Sequence, residues 1–374
     1  AAPPPPRPPP FPPARAMKFK ARLLDGGLAA LHGHFLPALS KVDKDCVVYL
    51  TPTKLVLTQN YFTCDAVRVT ASFATRVMFA EYKVKSIEKD RIAFPADVTL
   101  LQRALQSIKR IFAFEVGDVY VKLTRKKPPG ADAGAKGIPY LSFVARRMAD
   151  ERTGQPGRVL ITQDVPVGEP LPPSDLMELD RLARTAPVRT YLVLPDSVGR
   201  VAVVVDKLKA LSSHVAVGIS RGGRLFVRGA GGEVGSSVGV EFSQLQVLGV
   251  TAGDGTGEEN GECATAPTEG AGAQREGPAS RMRKAEAEGL LDKAVVDQKH
   301  LAQALCCQLT APARTIAAIA GQRQYMVIGC QYYADAGAYG GSDALGASAY
   351  TPDVSLEFKL PVRAEEDDLD IGSQ

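Results

Sequence analysis

The sequence lacks the short motifs that mark the common catalytic and cofactor-binding sites. It contains no Walker A lysine and no HExxH pair. The six cysteines form no CxxC pair, and the four histidines do not cluster with them, which argues against a zinc site. We therefore expect no metal, no cofactor and no enzymatic activity.

Long apolar runs are also missing. The longest aliphatic stretches, such as the one around residues 203–205, are far shorter than the roughly 18 apolar residues that a membrane span requires. The first sixteen residues, AAPPPPRPPPFPPARA, carry prolines and two arginines where a secretory signal has a continuous apolar core. These absences argue against a transmembrane helix and a signal peptide, and they predict an intracellular protein.

Three features are compatible with enzyme chemistry, but each is weak. The glycine-rich stretch at residues 228–237 lacks the GxGxxG spacing and precedes a strand pattern, whereas a phosphate cradle precedes a helix. The adjacent Cys306 and Cys307 could be redox-active, and the acidic residues 365–370 could hold a divalent cation. A thiol- or metal-dependent enzyme is therefore the alternative from another functional class.

The charge is distributed unevenly along the chain. Residues 17–163 contain 24 Lys or Arg against 13 Asp or Glu, whereas residues 164–374 contain 19 against 28. The acidic excess of the second half comes from residues 251–289 and from the tail. A strongly basic first half favours a polyanionic partner, although a basic surface that only keeps the chain soluble is the simpler interpretation.

Hydrophobic periodicity predicts an α+β protein with two similar domains. A strand, a helix and then several antiparallel strands follow one another four times in two halves, and turns rather than helices join most of the strands. The expected segments are a disordered proline-rich leader (1–16), domain 1 (17–163), a connector (164–187), domain 2 (188–363) with a disordered insert (251–289), and an acidic tail (364–374).

Each predicted helix has one side that is basic or carries amides. A single basic side is usually only solvated, but the same feature in four equivalent helices indicates a phosphate-binding surface without base recognition. Pro37 lies inside the first helical pattern and either kinks this helix or delays its start. The candidate residues are Lys41 and Lys44; Arg103, Gln106, Lys109 and Arg110; Arg200 and Lys207; and Lys299 and Gln303.

The ordered set of motifs resembles the Hus-one checkpoint protein family. The matching stretches are MKFKARLLDG, FAEYKV with LLQRALQSIKR, VLITQDVPV, YLVLP and VSLEFKLPV, in colinear order over residues 17–362. The resemblance implies the sliding DNA clamp fold, which is related to that of proliferating cell nuclear antigen, with helices inside a ring and antiparallel sheets outside. It implies a non-enzymatic subunit of the heterotrimeric nine-one-one DNA-damage clamp.

The family also implies partners and ring contacts. The expected partners are two non-identical clamp subunits, a damage-specific clamp loader, double-stranded DNA without sequence specificity, and checkpoint and repair proteins in the nucleus, with the cytoplasm as a further location. Edge strands would join neighbouring subunits. By position these edges contain Arg158, Val159, Leu160, Ile161 and Thr162 in domain 1, and Ser237, Val238, Gly239, Val240, Glu241 and Phe242 in domain 2.

Two alternatives remain open beside the thiol- or metal-dependent enzyme. One is a replicative clamp of the same fold that assembles as a homotrimer. The other is a scaffold that makes no contact with DNA.

Overall fold

The structure is a computed structural model. It describes residues 17–111, 118–127, 130, 137–147, 159–183, 188–195, 198–230, 237–248, 277–320, 325–332 and 353–363. The chain forms two compact units, and the boundary between residues 180 and 181 lies inside the predicted connector. The short segments 37–43 and 58–72 belong to the second unit.

The strands are short and connected mainly by turns. In chain order they are β1 (Lys18–Leu23), β2 (Asp45–Leu50), β3 (Lys54–Gln59), β4 (Arg68–Ala74), β5 (Phe79–Lys85), β6 (Ile92–Asp97), β7 (Val119–Lys126), β8 (Ile138–Arg147), β9 (Val159–Pro166), β10 (Val188–Val193), β11 (His214–Ser220), β12 (Arg224–Ala230), β13 (Ser237–Phe242), β14 (Val247–Leu248), β15 (Leu291–Asp297), β16 (Arg314–Ala320), β17 (Tyr325–Tyr332) and β18 (Val354–Pro361).

The helices interrupt this series at a few places. They are α1 (Asp25–Ala30), a π-helix (Leu31–Phe35), α2 (Leu36–Leu39), α3 (Thr75–Met78), α4 (Val98–Ile111), α5 (Pro173–Leu182), α6 (Val198–Leu208), α7 (Pro278–Ala287), α8 (Gln298–Leu305) and a 3₁₀-helix (Cys306–Thr310). None of these helices is long and apolar enough to cross a membrane.

The same strand order occurs in both halves of the chain. The order β5-β1-β7-β8-β9 in the first half corresponds to β14-β10-β16-β17-β18 in the second, and β4-β3-β2-β6 corresponds to β13-β12-β11-β15. Neighbouring strands pair in the antiparallel direction in both halves, as in β1 with β5 and β7, and β10 with β14 and β16. The predicted α+β class with two similar halves therefore agrees with the structure.

Aspartates start the equivalent helices α4 and α8 in the same way. Asp97, the last residue of β6, accepts hydrogen bonds from the backbone N–H groups of Thr99 (2.7 Å) and Leu100 (3.1 Å). Asp297, the last residue of β15, accepts one from the N–H of Lys299 (2.7 Å). Each carboxylate satisfies backbone N–H groups that have no partner within their own helix.

A backbone hydrogen bond repeats this equivalence. The N–H of Val98 donates to the carbonyl of Lys44 (2.8 Å), and the N–H of Gln298 donates to the carbonyl of Ser213 (2.9 Å). Lys44 and Ser213 each precede the strand that pairs with β6 or β15. The start of each helix is thus bonded to the residue just before the strand that neighbours β6 or β15.

The first helix passes through Pro37 by widening into a π-helix. The N–H of Leu36 donates to the carbonyl of Leu31, an i→i−5 bond. Because proline has no N–H and its ring collides with the carbonyl four residues earlier, the wider turn accommodates Pro37 without ending the helix there. The helix ends at Leu39, whose carbonyl accepts from the N–H of Val42 (2.9 Å) in the following turn.

Two predicted loop segments contain regular structure. The connector begins inside β9 and includes α5. The prediction of disorder is wrong for the end of the insert, because residues 278–287 form α7; residues 251–276 lie outside the described residues. Small and charged residues dominate this short helix, and its apolar contacts come from Met282 and Ala285, so its sequence shows little helical pattern. The leader and the acidic tail also lie outside the described residues.

Candidate nucleic-acid interface and subunit edges

Helix α4 carries four of the predicted DNA-facing residues on its exposed side. Arg103, Lys109 and Arg110 are exposed, and Gln106 is half-buried. The other side of the helix lies in the core through Val98, Leu101, Ala104, Leu105 and Ile108. Arg103 and Arg110 lie two turns apart, roughly 10 Å along the axis. None of the three cations forms an ion pair with another described side chain.

The basic end of α4 lies beside the π-helix. Burial, followed by the positive charges of Lys109 and Arg110, lowers the pKa of His32 below its ordinary value. His32 is therefore mainly neutral at pH 7, so it adds an imidazole but no charge to this surface. We did not select His32 from the sequence, where a lone histidine in a helical pattern gives no distinguishing signal.

The prediction that Lys41 and Lys44 belong to the first helix is wrong, while their contact with DNA stays a prediction. Both lie in the turn between α2 and β2, after the helix has ended. The exposed positions of the first helical segment are instead occupied mainly by small residues and one histidine, namely Asp25, Gly26, Ala29, Gly33 and His34. Apolar spacing that continues to Val42 extended the predicted helix, whereas the chain turns after Leu39.

The corresponding helices of the second unit have fewer basic residues. Arg200 and Lys207 on α6 are exposed, as is Lys299 on α8, while Gln303 is half-buried. Helix α6 also exposes Asp206, and Val203 keeps 55% of its surface exposed. The two helices pack together.

The packing of α6 on α8 includes a buried amide. Nε2 of Gln298 donates to the carbonyl of Val205 (3.0 Å), and this glutamine is almost fully buried. Because a buried amide without a partner is costly, this bond fixes the position of α8 on α6.

The two predicted subunit edges are strands at the ends of their groups. In the described part of the chain, β9 pairs only with β8, and β13 pairs only with β12. Each strand exposes one large apolar side chain: 61% of Leu160 and 45% of Val238 are exposed. Strand β9 is also bonded to α4, since Nε2 of Gln163 donates to Oγ of Ser107 (3.2 Å).

The other edge residues differ in burial. Thr162 is exposed, and half-buried positions are Ile161, Gly239, Val240 and Phe242. Val159 and Ser237 begin their strands, and Arg158 lies outside the described residues. The side chain of Glu241 is only 9% exposed.

Helix α7 accounts for the burial of Glu241. Nε of Arg281 donates to its Oε2 (2.7 Å), and Arg224 lies 3.6 Å from Oε1. Met282 of the same helix is buried against Phe226 of β12 and Leu291 of β15. The end of the insert thus packs across three strands that include the edge strand β13.

Cys306 and Cys307 do not form an exposed pair of thiols. Cys307 is buried and Cys306 half-buried, and both are free thiols. A hydrogen bond between the thiols of Cys307 and Cys330, with burial, raises the pKa of Cys330, which disfavours the nucleophilic thiolate. Within the described ranges, no group of His, Cys, Asp or Glu side chains could hold a metal ion, while the acidic tail lies outside them.

Comparison with protein families identifies the chain. The family model described as Hus1-like protein matches residues 17–335. The chain belongs to this family. Among curated proteins, the Hus1-like chain is similar to a checkpoint protein hus1 homolog of Dictyostelium discoideum, with 25% identity over 210 residues that cover 56% of this chain and 68% of the relative.

A solved structure supports the fold. The crystal structure of proliferating cellular nuclear antigen from Entamoeba histolytica resembles the Hus1-like chain with a TM-score of 0.50 and 10% identity. The similarity covers 92% of this chain and 99% of that structure. At this identity the likeness concerns the fold alone, and it confirms the predicted sliding-clamp fold.

Proposed function

We propose that this chain, a checkpoint-clamp subunit of the Hus1-like family, joins two non-identical clamp subunits in a heterotrimeric ring around double-stranded DNA. A damage-specific loader places the ring on DNA in the nucleus. The loaded ring then recruits checkpoint signalling and repair proteins without catalysing a reaction itself. Membership in the family supports association with other clamp subunits. The proposal adds the ring geometry, the DNA, the loader and the recruited proteins.

The observation that carries the proposal is the pair of edge strands β9 and β13. In the described part of the chain each has a neighbour on one side only, so its outer N–H and C=O groups can pair with another subunit. Leu160 and Val238 place an exposed apolar side chain on each edge, and such residues commonly contribute to the core of a protein interface. Two different edges allow each subunit to contact two neighbours, which a closed ring requires.

Nonspecific DNA binding follows from the exposed cations of α4, α6 and α8. Lysine and arginine on a helix surface bind phosphates and release counter-ions, but they do not read base edges when the helix lies across the backbone. The helix α4 is the strongest candidate because Arg103, Lys109 and Arg110 have no ion-pair partners among the described side chains. The surface of α6 contributes less because Asp206 reduces its positive charge.

Co-expression with the two other clamp subunits tests the assembly. We expect a complex with one copy of each subunit, and we expect Leu160→Asp or Val238→Asp to prevent its formation while leaving the isolated chain folded. Ile87→Asp is the matched control, because Ile87 is 63% exposed but lies in the turn after β5. Normal assembly of both edge variants would refute these edges as the contacts. A homotrimer of the chain alone, measured by light scattering, would favour the replicative clamp.

A further inference from the structure

One face of the sheet β5-β1-β7-β8-β9 carries five exposed lysines on three adjacent strands. Alternate residues of β1, such as Phe19 and Ala21, point into the core, so the lysines between them project from the opposite face. Side chains at paired positions of neighbouring strands share a face of the sheet. The lysine face consists of Lys18 and Lys20 of β1, Lys83 and Lys85 of β5, and Lys122 of β7.

The strand register places these positive charges directly opposite one another. Lys18 is paired with Lys85, and Lys20 lies between Lys83 and Lys122. Directly opposed side chains have Cβ atoms about 4.5–5.5 Å apart, and like charges at this spacing destabilise a sheet. None of the five lysines forms an ion pair with another side chain in the described ranges.

The carboxylates of this sheet face have other partners. Arg22 lies between Glu81 (3.7 Å) and Asp118 (3.0 Å). At the far side of the sheet, Asp164 accepts hydrogen bonds from Lys126 (2.6 Å) and from Ser142 (2.5 Å). Lys122 of β7 also interacts electrostatically with Asp164, but the two form no ion pair, and the positive charge of the lysines on β1 and β5 is not neutralised by direct pairing within the described sheet.

Protection of a sheet edge does not explain the arrangement. Lysines on an edge strand prevent association with other strands, which would account for Lys83 and Lys85 on β5. Lys20 and Lys122, however, lie on β1 and β7, which have neighbours on both sides. Opposed lysines inside a sheet indicate a surface for a negatively charged ligand.

Two details favour an extended peptide over nucleic acid. The ring of Tyr120, the aromatic residue beside these lysines, already contacts Lys20 and Arg146, each at 5.6 Å from its centroid, so it does not offer a free surface for base stacking. In the described part of the chain, β5 pairs only with β1, which leaves its other edge available for main-chain pairing.

The spacing of the lysines also suits a peptide strand. Alternate residues of a strand lie about 6.6–6.8 Å apart on one face, which is the spacing between Lys83 and Lys85 and between Lys18 and Lys20. A peptide added beside β5 would present its own alternate side chains at the same spacing. We propose that the lysine face and the outer edge of β5 bind an extended acidic segment of a partner protein, with carboxylates or phosphates at alternate positions.

Peptide titration of the full chain tests this proposal. The probe is a labelled eight-residue peptide of alternating glutamate and threonine, and its isomer with four consecutive glutamates followed by four threonines has the same charge. Fluorescence anisotropy should show tighter binding of the alternating peptide. Since each exposed ion pair changes affinity by up to about fivefold, replacing lysines on and next to β5 in Lys18→Gln/Lys83→Gln/Lys85→Gln should weaken its binding roughly tenfold.

The control variant removes the same number of positive charges at positions outside the lysine face. Lys54→Gln/Lys89→Gln/Lys284→Gln alters three exposed lysines outside the lysine face and should bind the alternating peptide normally. The lysine-face variant removes like-charge contacts, so its melting temperature should not decrease, and loss of binding cannot then be attributed to unfolding.

Three results would overturn the proposal. One is the absence of measurable binding of the alternating peptide at low salt, and another is equal affinity for the two isomers. The third is a lysine-face variant that loses affinity for a single-stranded oligonucleotide but not for the peptide, which would identify nucleic acid as the ligand. None of these outcomes depends on ring assembly, so the proposed clamp function is tested separately.

Discussion

Replacing Arg103 and Arg110 with alanine should reduce the salt dependence of DNA binding by the assembled clamp. Both side chains are exposed on the same side of α4 and can each neutralise one phosphate. Each neutralised phosphate contributes about 0.9 to the slope of log K against log salt concentration, so the double variant should lower the magnitude of this slope by about 1.8. Over a fourfold increase in salt, the wild-type clamp should lose about twelvefold more affinity than the variant.

The measurement is a titration of a closed or end-blocked duplex at several salt concentrations, with the other two subunits unchanged. Lys54→Ala/Lys89→Ala is the control, because it removes the same charge from two exposed positions outside α4, the first residue of β3 and the turn before β6. An equal loss of DNA affinity in both variants would mean that the affinity depends only on the net charge of the clamp. An unchanged slope for Arg103→Ala/Arg110→Ala in a ring of normal composition would refute the assignment of α4 to the DNA-facing surface.

Two further predictions concern the supports of the proposed interfaces. Asp97→Ala should lower the free energy of unfolding by about 1 kcal/mol because it removes the helix cap of α4. Burial would raise the pKa of Asp97, but hydrogen bonds from Thr99 and Leu100 lower it below its ordinary value. The charged cap therefore stabilises the protein at pH values above the ordinary pKa, and this stabilisation is lost as the pH falls through the folded-state pKa. The unfolding free energies of wild type and variant, measured by urea titration, should converge as the pH decreases, and a constant difference would contradict this. Arg281→Ala leaves the mostly buried Glu241 without its 2.7 Å partner, so we expect a loss of about 1–3 kcal/mol in the local stability of α7. Faster amide exchange over residues 278–287 would reveal that loss, and unchanged exchange would argue against the packing of α7 on β13.

The elements that the sequence predicts well are those whose pattern is determined locally. In α4, Leu101, Leu105 and Ile108 recur at helical spacing, and the structure buries all three while Arg103 and Arg110 remain exposed. The edge strands were predicted from the family resemblance, and the structure places β9 and β13 at the ends of their groups. Their role in subunit contact stays a prediction.

The features that the sequence did not predict depend on contacts between distant residues. Nothing local to Glu241 indicates that Arg281, forty residues later, buries its carboxylate. The opposed lysines were equally hidden, because Lys20 meets Lys83 and Lys122 only through the strand register. The end of the first helix was misjudged since the apolar spacing continues past Leu39, although the chain turns there.

The matched hydrogen bonds at the starts of α4 and α8 have a consequence for the history of the chain. Asp97 with Asp297, and Lys44 with Ser213, occupy corresponding places and make corresponding bonds. This agreement aligns the two halves at these positions, as expected for an ancestral duplication. The side chains at these places need not match, since Lys44 of one half has Ser213 as its counterpart in the other. Two copies of one scaffold could then acquire unequal charge and separate duties without any change in how their helices begin.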